Sequence, residues 1–128
     1  MPPLHHLTLT VTDAERSATW YQALLGDATV IEREGPTWIR KRLQWPDGLV
    51  LGFTRHLGTP AEACFDHERI GLDHIGLECA NEAEVRSWAD RMSDLGIHHG
   101  PVEDVPYGWA VTGRDPDGIA VEFFCPRG

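Results

Sequence analysis

Leu72-Asp73-His74-Ile75-Gly76-Leu77 and Asp115-Pro116-Asp117-Gly118-Ile119-Ala120-Val121-Glu122-Phe123 decide the fold, because each has an earlier counterpart in the same chain. Leu4-His5-His6-Leu7-Thr8-Leu9 matches the first, and Trp45-Pro46-Asp47-Gly48-Leu49-Val50-Leu51-Gly52-Phe53 matches the second. His6 falls 68 positions before His74, and Gly52 falls 70 before Glu122. The chain is therefore read as one unit written twice: a module over 4–55, a linker over 56–70, and a second module over 71–128.

Working outward, each copy gives the same order of elements. His5 to Val11 alternates, with Leu7, Leu9 and Val11 on one side and His6, Thr8 and Thr10 on the other, which is the period of a half-buried strand. Thr12 with Glu15 three residues on reads as a capping box. Ala14, Ala18, Tyr21, Leu24 and Leu25 recur at helical spacing until Gly26 stops them. Strands follow over 28–34, 37–44 and 49–55, separated by Gly35-Pro36 and Pro46-Asp47-Gly48. In the second copy, 73–79 is a strand, and Asn81 caps a helix striped by Val85, Trp88, Ala89, Met92 and Leu95. Short strands are expected near 97–101 and 108–114, then a last one over 119–125. The linker is expected to hold at most one helical turn, around Ala61–Cys64. The fold class is thus α+β, two tandem βαβββ modules. A sheet covered by one helix leaves its other face unpartnered, so the modules are expected to curl into a cup-shaped, partly open β-barrel with the helices outside.

Totals restrict the function. With 11 Lys and Arg against 20 Asp and Glu, the formal charge is −9, which leaves no basic surface for phosphate backbones and argues against nucleic acid. No apolar run approaches the roughly 20 residues that span a bilayer, so no membrane role is expected. No signal peptide is evident at Met1-Pro2-Pro3-Leu4. Cys64, Cys79 and Cys125 are odd in number and lack Cys-x-x-Cys spacing, which suits reduced thiols in a cytoplasmic protein.

If the duplicated halves pack about a pseudo-twofold axis, matching positions meet, and His6, His74 and Glu122 converge. In the last strand Ala120, Glu122 and Phe124 oppose Ile119, Val121, Phe123 and Cys125. His74, Gly76 and Glu78 likewise oppose Ile75, Leu77 and Cys79. Two imidazoles and one carboxylate suit one divalent ion (Fe, Mn, Zn, Co or Ni) with coordination positions left for a small-molecule substrate. The competing account makes the histidines the lining of a polar cavity and pairs Glu122 with an arginine. Around this set, Glu78 is a candidate to hold the ring of His74, or else a surface carboxylate. Tyr107 is a candidate acid or hydrogen-bond donor, or else loop packing. Thr8, Trp38, Arg40, Trp109 and Phe124 are candidate substrate contacts. Arg40 and Arg42 share a strand face with Trp38 and suit an anionic substrate, although strand arginines are more often merely solvated. His5 is expected at the surface or rim, and His98-His99 in an exposed loop. Gly52, standing where the other copy has Glu122, either leaves the centre open or clears space for substrate.

The duplicated unit, the His-x-Thr-x-Thr-Val-x-Asp start at His6, Trp20-Tyr21-Gln22-Ala23-Leu24-Leu25-Gly26 and the Asp115–Phe123 stretch together resemble the vicinal oxygen chelate superfamily, which includes glyoxalase I, bleomycin-resistance proteins, fosfomycin-resistance transferases and extradiol dioxygenases. The resemblance spans essentially the whole chain. It implies metal ligands at His6, His74 and Glu122, a homodimer, and a metal that chelates neighbouring substrate oxygens. Gly52 departs from glyoxalase I, which has a fourth ligand there, and Thr112 departs from the tyrosine of extradiol dioxygenases. Thr8 falls where fosfomycin transferases place a phosphonate-contacting threonine. The expected activity is oxygenase-like or lyase-like. A glyoxalase-like isomerase or fosfomycin-type thiol transferase is the alternative, and so is a metal-free antibiotic- or metabolite-binding protein.

Overall fold

A computed structural model describes all of residues 1–128. The chain divides into two units, Met1–Ala63 and Cys64–Gly128, parted inside the 56–70 segment. Unit 1 runs β1 (Leu7–Thr10), α1 (Ala14–Leu25), β2 (Thr29–Glu34), β3 (Trp38–Gln44) and β4 (Val50–His56). Unit 2 runs β5 (His74–Glu78), α2 (Glu82–Asp94), β6 (Glu103–Val105), β7 (Gly108–Arg114) and β8 (Ala120–Pro126). The sheets have the same topology, β1-β4-β3-β2 and β5-β8-β7-β6. In each, the first strand pairs in parallel with the last, and the remaining pairings are antiparallel. The two tandem βαβββ modules expected from the repeat are therefore present.

Each helix covers one sheet face. Leu24 and Tyr21 are buried under α1, with the Tyr21 ring 4.7 Å from that of Phe53. In unit 2 the Trp88 ring lies parallel on Phe123 at 4.3 Å, and Val85 and Met92 are buried. Burial of such aromatic and aliphatic side chains supplies about 1.5–3 kcal/mol each. The packing is tight at Gly113, where a Cβ would stand 2.6 Å from Met92 Sδ. Overpacking costs about 1–3 kcal/mol, so Gly113→Ala is expected to lower the urea midpoint with an unchanged m-value.

Tight turns lead into β4 and β8. Asp115 Oδ1 accepts from the Asp117 and Ile119 amides, both at 2.9 Å, and Gly118 takes φ +86°. In unit 1 Gly48 takes φ +102° and Asp47 Oδ1 accepts from the Leu49 amide at 3.1 Å. Such positive φ is open to glycine at little steric cost.

Several local expectations change. The N-cap of α1 is Asp13, whose side chain accepts from the Arg16 amide at 3.0 Å. Thr12 Oγ1 instead accepts from Arg16 Nη2 at 2.9 Å. Asn81 caps α2 as expected, at 2.9 Å from the Glu84 amide. No strand forms over 97–101. That segment makes one isolated bridge, His99 to Gly113, and the edge strand lies later, at Glu103–Val105. His99 is held there by Ser93 Oγ and the Gly100 carbonyl, both at 2.6 Å. Leu95, expected in the buried stripe of α2, is 43% exposed. In the linker, Ala63 donates to the Pro60 carbonyl at 3.1 Å, a single turn without a helix.

Candidate functional site

Strand register places the candidate residues. In unit 2, Ile75, Val121, Phe123 and Cys125 are buried on the α2 side. Side chains alternate along a strand, so His74, Gly76 and Glu78 of β5 and Glu122 and Phe124 of β8 share the far face, the one turned away from α2. Gly76 pairs with Glu122 and Glu78 with Phe124. A Cβ at Gly76 would come 3.9 Å from Glu122 Oε1, so the glycine leaves the carboxylate room. His74 Nε2 approaches the same oxygen at 3.9 Å. The His74 side chain is 45% exposed and that of Glu122 26%.

The other ring nitrogen of His74 is engaged. Nδ1 lies 2.6 Å from Asp73 Oδ1. A neutral imidazole that donates from Nδ1 presents a bare lone pair at Nε2, the arrangement in which metal-bound histidines are usually held. The carboxylate on this ring is thus Asp73, and not Glu78, which makes no hydrogen bond to His74. The hydrogen bond to His74 is the main cause holding the Asp73 carboxyl below the ordinary aspartate range. The charged contact is therefore present at neutral pH and fades as pH falls through that lowered value. Asp73→Asn is expected to weaken divalent-metal affinity by about 10–100-fold, the usual cost of losing such a partner. A fluorescent-chelator competition assay at pH 7 measures it.

The His74 and Glu122 donors are spaced for a divalent ion. Nitrogen and oxygen ligands of such ions lie at roughly 2.0–2.2 Å, so two of them stand at most about 4.4 Å apart across the ion. The 3.9 Å gap between His74 Nε2 and Glu122 Oε1 falls inside that limit. Neither unit by itself gathers three His, Cys, Asp or Glu side chains into a metal-holding group. Unit 2 contributes two of the three residues nominated from the repeat.

His6 is in unit 1, one residue ahead of β1, so no ladder bond fixes its direction. His5 and His6 are both exposed, with their Nδ1 atoms 2.8 Å apart. His5 also approaches Arg42 Nη2 at 3.5 Å. The period-2 rule that separated the two histidines begins to act only at Leu7, the first paired residue.

Thr8 pairs with Gly52, and a Cβ at Gly52 would meet Thr8 Oγ1 at 2.9 Å. The space beside Gly52 is filled by Thr8, so the glycine is an accommodation to its neighbour and not a cleared floor. Unit 2 makes the opposite choice, with glycine on the first strand and the large residue on the last. On the far face of the unit 1 sheet, Arg40 Nε donates to Thr54 Oγ1 at 2.8 Å, and its guanidinium lies 4.6 Å from the Trp38 ring centre.

Phe124 shares the face of Glu122, and Tyr107 stands over it with ring centres 6.1 Å apart. Tyr107 is 69% exposed in the turn before β7. Trp109 lies elsewhere. It pairs with Cys125 and so projects on the α2 side, where its ring packs against Arg127 at 4.1 Å. Gly-Trp-Ala-Val-Thr-Gly-Arg has no clear alternation, so its facing was not legible without the register.

A family model described as the Glyoxalase/Bleomycin resistance protein/Dioxygenase superfamily matches residues 3–123. Among solved structures, a glyoxylase/bleomycin resistance protein/dioxygenase domain from Frankia sp. EAN1pec is 28% identical, with a TM-score of 0.90 over 99% of both chains. The fosfomycin resistance protein FosX from Listeria monocytogenes, complexed with Mn(II) and sulfate ion, is 19% identical, with a TM-score of 0.71 over 99% of this chain and 94% of its own. Lactoylglutathione lyase from Agrobacterium tumefaciens is 20% identical, with a TM-score of 0.71 over 97% of this chain and 94% of its own. No curated protein matches the sequence. No helix is long and apolar enough to cross a membrane. With its duplicated βαβββ modules and a family match over nearly its whole length, the chain belongs to the Glyoxalase/Bleomycin resistance protein/Dioxygenase superfamily.

Proposed function

We propose that this protein is a divalent-metal-dependent enzyme acting on a small oxygen-rich substrate, with His74 and Glu122 as ligands and His6 as the third ligand nominated by the repeat. The observation that carries the reading is the ring of His74. Asp73 occupies Nδ1 at 2.6 Å, and Nε2 is turned toward Glu122 Oε1 at 3.9 Å. That is a ligand pair with its tautomer already set. A divalent ion bound there would supply Lewis-acid polarisation of substrate oxygens. The chain's own groups do the remainder: Asp73 orients the imidazole through Nδ1 and leaves Nε2 facing the site, Phe124 walls the site, and Tyr107 stands at the rim as a proton donor.

The Mn(II) of the Listeria relative supports a metal of this class. Oxygenase-like or lyase-like chemistry is the preferred reaction, since three protein ligands leave positions for two substrate oxygens. A homodimer in the cytoplasm is the expected setting, and the third ligand can then come from the same chain or from a second copy.

Metal analysis of protein purified without added ions tests the proposal. One divalent ion per chain, lost in His74→Ala, is the expected result. Metal-free wild-type protein that stays so in excess Mn(II), Fe(II) or Zn(II) overturns it and leaves a metabolite-binding protein. Mixing His6→Ala with Glu122→Ala chains then tells a site within one chain from one shared between copies, because only the shared site is partly restored.

A further inference from the structure

Charge in this acidic protein is distributed unevenly. Unit 1 carries 6 Lys and Arg against 7 Asp and Glu, while unit 2 carries 5 against 13. Within unit 1 the faces differ again. Register and alternation put Glu32, Glu34 and Lys41 on the α1 side, where Lys41 Nζ pairs with Glu32 at 2.5 Å. The far face carries Thr8 and Thr10 of β1, Gly52 and Thr54 of β4, Trp38, Arg40, Arg42 and Gln44 of β3, and Ile31 and Arg33 of β2. It has three arginines and no acid.

Those arginines crowd one another. Arg33 is the direct cross-strand partner of Arg40, and Arg42 follows Arg40 on the same face. Like charges placed directly opposite are destabilising. Arg40 and Arg42 are half-buried, so water screens them incompletely. Neither enters an ion pair with a carboxylate. Arg40 spends only Nε, on Thr54, and Arg42 Nε is buried with no hydrogen-bond partner at all. A buried donor left unpaired is destabilising, because its lost hydration is not replaced.

We propose that the far face of the unit 1 sheet is an oxyanion subsite in which Arg40 and Arg42 grip a phosphate-type or carboxylate group of the substrate. The inference rests on the reading of this face as substrate-binding, and it names the substrate class as anionic. Its chemistry is specific. The Thr54 bond and the Trp38 ring fix the plane of the Arg40 guanidinium, which leaves both Nη groups for a two-pronged contact with an oxyanion. Arg42 adds a second charge beside Gly52, where no side chain stands between it and Thr8. The threonine hydroxyl is a neutral partner for the same group. A bound anion would relieve the Arg33–Arg40–Arg42 repulsion, so binding and stability are linked.

Calorimetric titration of the full chain after removal of divalent metal tests this, with inorganic phosphate in one arm and acetate in the other. Saturable binding in at least one arm is expected, and the tighter arm identifies the chemistry. Arg40→Gln and Arg42→Gln should each weaken it about tenfold or more. Lys41→Gln, on the opposite face of the same strand, should change it by less than about twofold. Arg42→Lys keeps the charge and should recover most of the affinity, which separates anion contact from a merely structural role. Melting curves of each variant certify folding. No saturable binding by folded wild-type protein in either arm overturns the proposal, as does equal affinity in all four variants. The same titration in His74→Ala keeps the two readings apart, because the anion subsite persists there whatever becomes of the metal.

Discussion

Wild-type protein in Mn(II) at about a hundred times its dissociation constant is expected to melt about 8–14 °C higher than the same protein in a chelator, and Glu122→Ala is expected to melt at one temperature in both. The size follows from mass action. A ligand that binds only the native state stabilises by about 2.7 kcal/mol at a hundredfold excess over its dissociation constant. For a chain of this length, each kcal/mol is worth roughly 3–5 °C. Glu122 is the carboxylate of the pair, so its removal deletes both a ligand and the negative charge that attracts the cation.

The metal-free comparison is as informative as the metal-bound one. Without a cation, Glu122 is a quarter-exposed carboxylate 3.9 Å from a histidine nitrogen. The alanine variant gives up little there, so its melting temperature in chelator should fall within about 2 °C of wild type. A structural Glu122 would behave in the opposite way, with a large loss in chelator and an unchanged response to Mn(II). Differential scanning fluorimetry with the two buffers side by side separates these outcomes.

The repeat makes the modules, the order of their elements along the chain and the far-face position of Glu122 legible in the sequence. Alternation within 119–125 is strong, since Val121, Phe123 and Cys125 are all apolar and all buried. It fails where the pattern has no contrast. Trp109 sits in a strand whose neighbours Ala110 and Val111 are both buried, so only its pairing with Cys125 reveals its side. Strand periodicity nominates Glu78 as the partner of His74, because it puts residues two apart on one face and adjacent residues on opposite faces. Asp73 precedes β5, however, and is free of that constraint. The same freedom applies to His5 and His6 before β1. The sequence shows only that Gly52 lacks a side chain; what accounts for it is the Thr8 methyl and hydroxyl across the ladder.

That last contact leads to the second large effect. Gly52→Glu copies the Glu122 position into unit 1, and by itself it should destabilise by about 2–4 kcal/mol, because a Cβ there meets Thr8 Oγ1 at 2.9 Å and Cγ2 at 3.2 Å within a paired ladder. Thr8→Gly on the same chain reproduces the glycine-opposite-glutamate arrangement of Gly76 and Glu122. The pair should then cost less than the sum of the single changes, with a coupling of about 1–2 kcal/mol measured by urea unfolding of all four proteins. Additive losses would mean that Thr8 is not the obstacle. The rescued variant also bears on the anion subsite. Arg42 is the direct cross-strand partner of position 52, so the new carboxylate would lie against a guanidinium whose buried Nε has no partner. An internal carboxylate in that place competes with any external oxyanion. The doubly substituted protein should therefore fold, and should lose phosphate or acetate binding by about tenfold or more. Glycine at this position serves two ends at once: it makes room for Thr8, and it keeps Arg42 without a resident acid.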